Sequence, residues 1–180
     1  MSAAPRGDST PGGGMDRPRE VLAEQMFRRL LAREADRASR YHYFFSVCLV
    51  APDLVETPFQ PNIEIRNAVA TKIAECLRST DMVGHVRDRT ALVLLHTASP
   101  DAVRVAERIR RQIEKVSFPG TLGSPPRRLT LSVGGVSFPR DGSTDQLLLS
   151  RAEINLQEAA RQGGNRVVCT ADNGGSRDPA

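Results

Sequence analysis

The sequence predicts an α+β fold: a mainly antiparallel central sheet of about five strands, flanked by helices. Three observations lead there. Periodic segments follow one another in the order α-β-α-β-β-α-β-α-β. Two strand-like runs, 82–86 and 90–95, are too close in sequence for anything but a hairpin, so part of the sheet must be antiparallel. Each helical segment carries an apolar stripe that needs a sheet to cover.

Residues 20–40 put Leu22, Met26, Leu30 and Ala35 on one stripe of a first helix. The apolar run 43–50 reads as a buried strand, and Pro52, Pro58 and Pro61 make 51–61 a loop. Asn62 is placed to cap a second helix with Ile65, Val69, Ile73 and Leu77 inward. After the hairpin, whose turn is Arg87-Asp88-Arg89, Ser99-Pro100-Asp101 combines a cap, a first-turn proline and an acid. The helix it opens should bury Val105, Ile109, Ile113 and Val116. A Pro/Gly loop over 119–126 leads to 129–133, which alternates like a half-buried strand. Ser143 and Gln146 form a capping box for a last helix through Leu148, Ala152 and Leu156, which stops at Gly163-Gly164. Residues 165–169 are a last short strand.

One domain of 180 residues is expected, folded over 19–170, between disordered segments 1–18 and 171–180 that are rich in Gly, Pro and small polar residues. The net charge is +4, and of 25 basic residues only Lys72 and Lys115 are lysines. Arginine suits phosphates and guanine edges, although compositional bias accounts for most of the excess. Sparse aromatics and short basic runs argue against a nucleic-acid face. Cys48, Cys76 and Cys169 lack metal-like spacing, and Cys48 and Cys76 sit in core patterns. His42, His85 and His96 are isolated, which favours core or surface roles over ligation. Neither a signal peptide nor a bilayer-length apolar run is visible, so a cytoplasmic location without membrane insertion is expected.

From about Phe27 to Val168 the chain resembles the GGDEF domain, the catalytic unit of bacterial diguanylate cyclases. The resemblance rests on five segments in the family's order: FRRLLAREADRASR, RSTDMVG, DAVRVAERIRRQIE, LTLSVGGVSFPRDG and AEINLQEAARQGGNRVV. It implies a palm-like cyclase fold. In active members two GTP molecules condense to cyclic di-GMP, using a metal-binding aspartate after the first strand and an acidic, glycine-containing signature turn.

Against that pattern the signature turn here reads Arg87-Asp88-Arg89-Thr90-Ala91. Both glycines are lost, and Arg89 stands where a carboxylate should face the metal. Ala51 and Glu56 replace the metal-binding aspartate and a phosphate-facing lysine; Ala160 and Gly164 replace a phosphate-binding lysine and arginine. The loop and helix start that follow the first strand are shorter than the family norm, and the family's guanine-contacting Asn and Asp cannot be placed in them. The resemblance therefore implies a domain without cyclase activity, without a catalytic residue and without a Mg²⁺ cofactor.

What survives is the family's product-inhibition site, an Arg-x-x-Asp five residues before the signature turn: Arg78-Ser79-Thr80-Asp81. A second copy, Arg33-Glu34-Ala35-Asp36, reads as an exposed helix face. Both residue types at one preassigned place have a chance of about 1% in this composition, which makes the first copy informative. Arg108 matches a third arginine of that site. Cyclic di-GMP offers guanine O6 and N7 to an arginine fork, N1–H and N2–H₂ to a carboxylate, and two phosphates to further guanidinium groups. Alternatively, Arg78 could serve the helix dipole, with Asp81 pairing it locally and Arg108 merely solvated.

The expected function is a catalytically inactive cyclic di-GMP receptor that binds through Arg78, Asp81 and Arg108 and signals through a protein partner or self-association. A nucleotide-independent interaction scaffold is the alternative, and residual cyclase or GTP-binding activity ranks last. The segment 1–18 is read as an overhang or as a partner-binding arm.

Overall fold

The computed structural model describes residues 20–53, 63–118 and 126–170. The expected tails, the Asn62 cap, Glu56 and most of both Pro/Gly loops lie outside the described residues. Four helices, α1 (Glu24–Tyr41), α2 (Ile63–Glu75), α3 (Ser99–Lys115) and α4 (Asp145–Arg161), flank a five-stranded sheet. Its strands are β1 (Phe45–Asp53), β2 (Met82–Val86), β3 (Arg89–Leu95), β6 (Thr130–Phe138) and β7 (Val167–Cys169), in the order β2-β3-β1-β6-β7. Only β6–β7 is parallel. The short strands β4 (Ser117–Phe118) and β5 (Arg127–Arg128) pair separately and were not anticipated. Among the described residues no helix is long and apolar enough to cross a membrane.

Side chains alternate across the sheet and build two cores. Cys48, Val50, Leu92, Leu94, Leu131 and Val133 point toward α2 and α3, where Ile73, Ile109 and Ile113 meet them. Phe45, Val47, Val93, Val136 and Phe138 point the other way, against Phe27 and Leu31 of α1 and Leu148 and Leu156 of α4. Helices on both faces explain why β6 is buried almost throughout rather than alternating to solvent as expected. They also explain Gly134. A Cβ there would lie 2.2 Å from both the Ala152 oxygen and the Leu156 nitrogen, so α4 can rest on β6 only because that atom is missing.

Several boundaries differ from expectation, each for a local reason. The first helix begins at Glu24, because Leu22 pairs its backbone with the outer edge of β2: Leu22 N–H donates to Val83 O and His85 N–H to Leu22 O, both at 2.9 Å. With Leu22 removed from the helical stripe, the buried face moves to Phe27, Leu31, Ala35 and Ala38, and Met26 is left exposed. β1 runs on through Pro52, which is tolerated because the β3 pairing has ended at Val50 and only β6 remains as neighbour. The hairpin turn is two residues, Arg87-Asp88, since Arg89 already pairs with Val86. In α3 Ala98, not Ser99, is the N-cap, and Ala102 and Ala106 take core places where Val105 is only partly buried. Thr144 rather than Ser143 caps α4, its hydroxyl accepting from Leu147 N–H. Cys48 is fully buried; Cys76 is only partly buried, with its thiol donating to Gln112.

Candidate functional site

Two places in the fold bear on function. The first is the signature turn, at the end of the sheet where β1 and β3 approach α4. The β1–β3 register places Val50 opposite Thr90, which brings Ala51 and Arg89 next in line. The two positions expected to hold a metal are therefore neighbours, as the family pattern requires, but neither carries a ligand. Ala51 has no donor atom. The Arg89 guanidinium is bound by Asp88 at 3.1 Å and by Glu153 of α4 at 3.4 Å. A cation already occupies the centre of this cluster, so the residues present do not fit a divalent metal. Among the described residues no group of three or more His, Cys, Asp or Glu side chains is placed to hold one.

The turn itself is reshaped. Arg87 adopts φ 54°, a left-handed conformation suited to the glycine that the family pattern has at this position. Glu24 of α1 accepts from Arg87 N–H at 2.8 Å, and this bond, with the Arg28 guanidinium, holds the Glu24 carboxyl below the usual carboxylate range. From α2, the Arg66 guanidinium donates to Arg87 O at 3.1 Å. Close by, Gly164 stands at the expected phosphate-arginine position with φ 71°, and a Cβ there would sit 3.0 Å from the Asp53 carboxylate. Asp53, which sequence reasoning did not single out, accepts from Thr130 Oγ1, Ser132 Oγ and Asn165 N–H at 2.6–2.9 Å. Its carboxylate is committed to clamping β1, β6 and the turn before β7 together.

The second place is the turn after α2, at the opposite end of β2. Asp81 is 9% exposed. Its Oδ2 accepts from Arg78 N–H at 3.0 Å and its Oδ1 from Leu95 N–H at 3.3 Å, so the carboxylate ties the turn to the end of β3. Arg78 is exposed and its guanidinium has no side-chain partner among the described residues. Arg108, on α3, donates to Cys76 O at 3.0 Å, two residues before Arg78. Both arginines thus stand at the C-terminal end of α2, while the Asp81 carboxylate faces inward to the backbone. Its oxygens retain spare lone pairs, but their first duty is structural. Replacing Asp81 with Ala should therefore cost about 2–3 kcal/mol of folding stability, from two lost charge-assisted bonds, read as a lower urea midpoint.

Beside Arg78 opens a cleft of about 320 Å³ lined by Arg78, His96, Thr97, Asp101, Arg104 and Val105. Of the three residues expected to bind ligand, Arg78 alone lines it. The sequence signal for the rest was present but weak: Arg104 lies one helical turn before Arg108 and therefore on the same face of α3. In the second copy, Arg33 and Asp36 are exposed on α1 as expected, whereas Glu34 and Ala35 between them are buried, so the segment straddles the helix rather than forming one exposed face.

Residues 65–166 match the family model described as "Diguanylate cyclase, GGDEF domain". The chain belongs to the GGDEF family. The response regulator PleD of Caulobacter vibrioides is 30% identical over 106 residues, covering 58% of this chain and 23% of its own length. The match to this chain thus spans about a quarter of that relative's length. The GGDEF domain of YfiN (TpbB) from Pseudomonas aeruginosa superposes with a TM-score of 0.72 at 22% identity, covering 85% of this chain and 98% of its own. The GGDEF domain of DgcB from Caulobacter crescentus, solved in complex with c-di-GMP, gives 0.68 at 15% identity, covering 92% and 98%. At these identities the two structures establish the shared fold. This GGDEF domain is therefore an α+β, mostly antiparallel member of the family, in which a guanidinium–carboxylate cluster stands at the signature turn.

Proposed function

We propose that this GGDEF domain forms no cyclic di-GMP and instead binds it, acting as a receptor that signals through a protein partner or a second copy. One observation carries the receptor reading: the Arg78 guanidinium is exposed, has no side-chain partner among the described residues, stands on a turn fixed by Asp81 and lines a cleft of about 320 Å³. A free planar fork beside a cavity suits the O6/N7 edge of a guanine, and Arg108 brings a second cation to the same helix end for phosphate. The absence of activity is supported by Arg89 and Ala51, which supply neither charge nor donor for a metal.

Calorimetric titration with cyclic di-GMP tests this. The wild type should bind and rise in melting temperature with excess ligand. Arg78→Ala should weaken binding by about tenfold to a hundredfold, corresponding to about 1–3 kcal/mol. A wild type with neither heat nor a shift in melting temperature overturns the receptor reading.

The inward commitment of Asp81 favours a second reading, an interaction scaffold that binds no nucleotide. Under that reading Arg78→Ala is silent in every assay of partner binding.

A further inference from the structure

The cleft beside Arg78 has one aromatic wall. His96 terminates β3 in the left-handed region, with φ 50°, and its exposed ring packs against Tyr43, the centroids 5.0 Å apart and the planes at 47°. Tyr43 is itself fixed. Its hydroxyl donates to Glu34 at 2.5 Å, and Glu34 is 7% exposed on the inner face of α1. A buried carboxylate is costly unless satisfied, and here the phenol and Arg37 satisfy it. Glu34 therefore sets the Tyr43 ring, and Tyr43 backs the outer ring of His96. From α3 the lining takes Arg104, held by Asp101 at 2.8 Å, and Val105.

We propose that His96, held in place by Tyr43, is a ligand-contacting residue of this cleft: its ring supplies a stacking face for a purine base whose polar edge meets Arg78 and Arg104. The proposal rests on the receptor reading and deepens it, naming the base of a cyclic purine dinucleotide as the group that enters. A planar ring of this kind can take one base face while guanidinium groups take the edge, and neither contact substitutes for the other. Arg78 acts on the charge and hydrogen-bonding pattern of the ligand, His96 on its flat surface.

Titration of the wild type, His96→Gly, His96→Phe and Arg78→Ala with cyclic di-GMP tests it. Glycine removes the ring while accepting the left-handed backbone. His96→Gly should weaken binding about tenfold, the loss of one base-stacking contact, at a melting temperature near that of the wild type. His96→Phe keeps a flat ring and should bind within about threefold of the wild type. In NMR spectra the His96 ring protons should move upfield on ligand addition, a ring-current effect that a structural role alone would not produce. Wild-type binding with an unaffected His96→Gly and unmoved ring protons overturns the stacking wall and leaves the receptor reading intact. No binding by the wild type overturns both.

Discussion

Gly134→Ala should lower the urea midpoint of this domain strongly, the largest effect expected of an added methyl group at any of the described glycines. The new Cβ would meet two backbone atoms of α4 at 2.2 Å, and backbone cannot rotate aside as a flexible side chain can. Either β6 or α4 must retreat by more than an ångström, which opens the core around Leu148, Ala152 and Leu156. Overpacking ordinarily costs about 1–3 kcal/mol; with a helix backbone as the obstacle, the cost should reach or exceed the top of that range. Gly163→Ala is the matched control. Gly163 has φ 103° but open space around its would-be Cβ, so only backbone strain of about 1 kcal/mol is at stake. Urea melts of the two variants should separate them clearly. Near-equal midpoints would show that α4 can lift off β6 at little cost.

With GTP and Mg²⁺, the wild type should yield no cyclic di-GMP, and Arg89→Glu should not rescue it. Phosphoryl transfer depends on positioning and on neutralising the charge that develops on the transferring phosphate, and a divalent ion contributes several kcal/mol of this. Arg89 repels that ion. Substituting Glu reverses the charge but also frees Glu153 from its partner, and Ala51 still offers no second ligand. Nor does Gly164, which has no side chain, supply the phosphate-binding cation of the family pattern, and the adjacent Asp53 is itself engaged with Thr130, Ser132 and Asn165. Chromatography of the nucleotide products after prolonged incubation measures this directly. A product peak from the wild type would sink the inactive reading, and a peak from Arg89→Glu alone would show that the other replacements matter little.

What could be read in advance was local. The hairpin followed from two apolar runs separated by a short polar turn, and the inner face of α2 from the spacing of Ile65, Val69 and Ile73. The two larger errors share one cause, which is that the deciding partner lay far away in sequence. Leu22 looked like part of a helical stripe until Gly84, on β2, claimed its backbone. The strand containing Leu131 looked half-exposed until α3 and α4 covered both of its faces. Capping residues shifted by one because Thr144 and Ser143 are chemically alike and only geometry distinguishes them. In the candidate site Arg78 could be located because it belongs to a contiguous motif. The cleft that gives it meaning is assembled from the end of β3 and the start of α3, and no spacing rule connects those to Tyr43 or Glu34.

The short segment at Leu22 covers part of one border of the sheet. By lying along β2 it uses hydrogen-bonding groups that an edge strand would otherwise present to a neighbour. The opposite margin, β7, is three residues long, and just beyond it Thr170 is already bonded to Arg140 and Asn155. Growth by adding strands from another chain is thereby disfavoured at both borders of the sheet. Among the described residues, that leaves the side chains of helices and turns as the surfaces a second copy would meet.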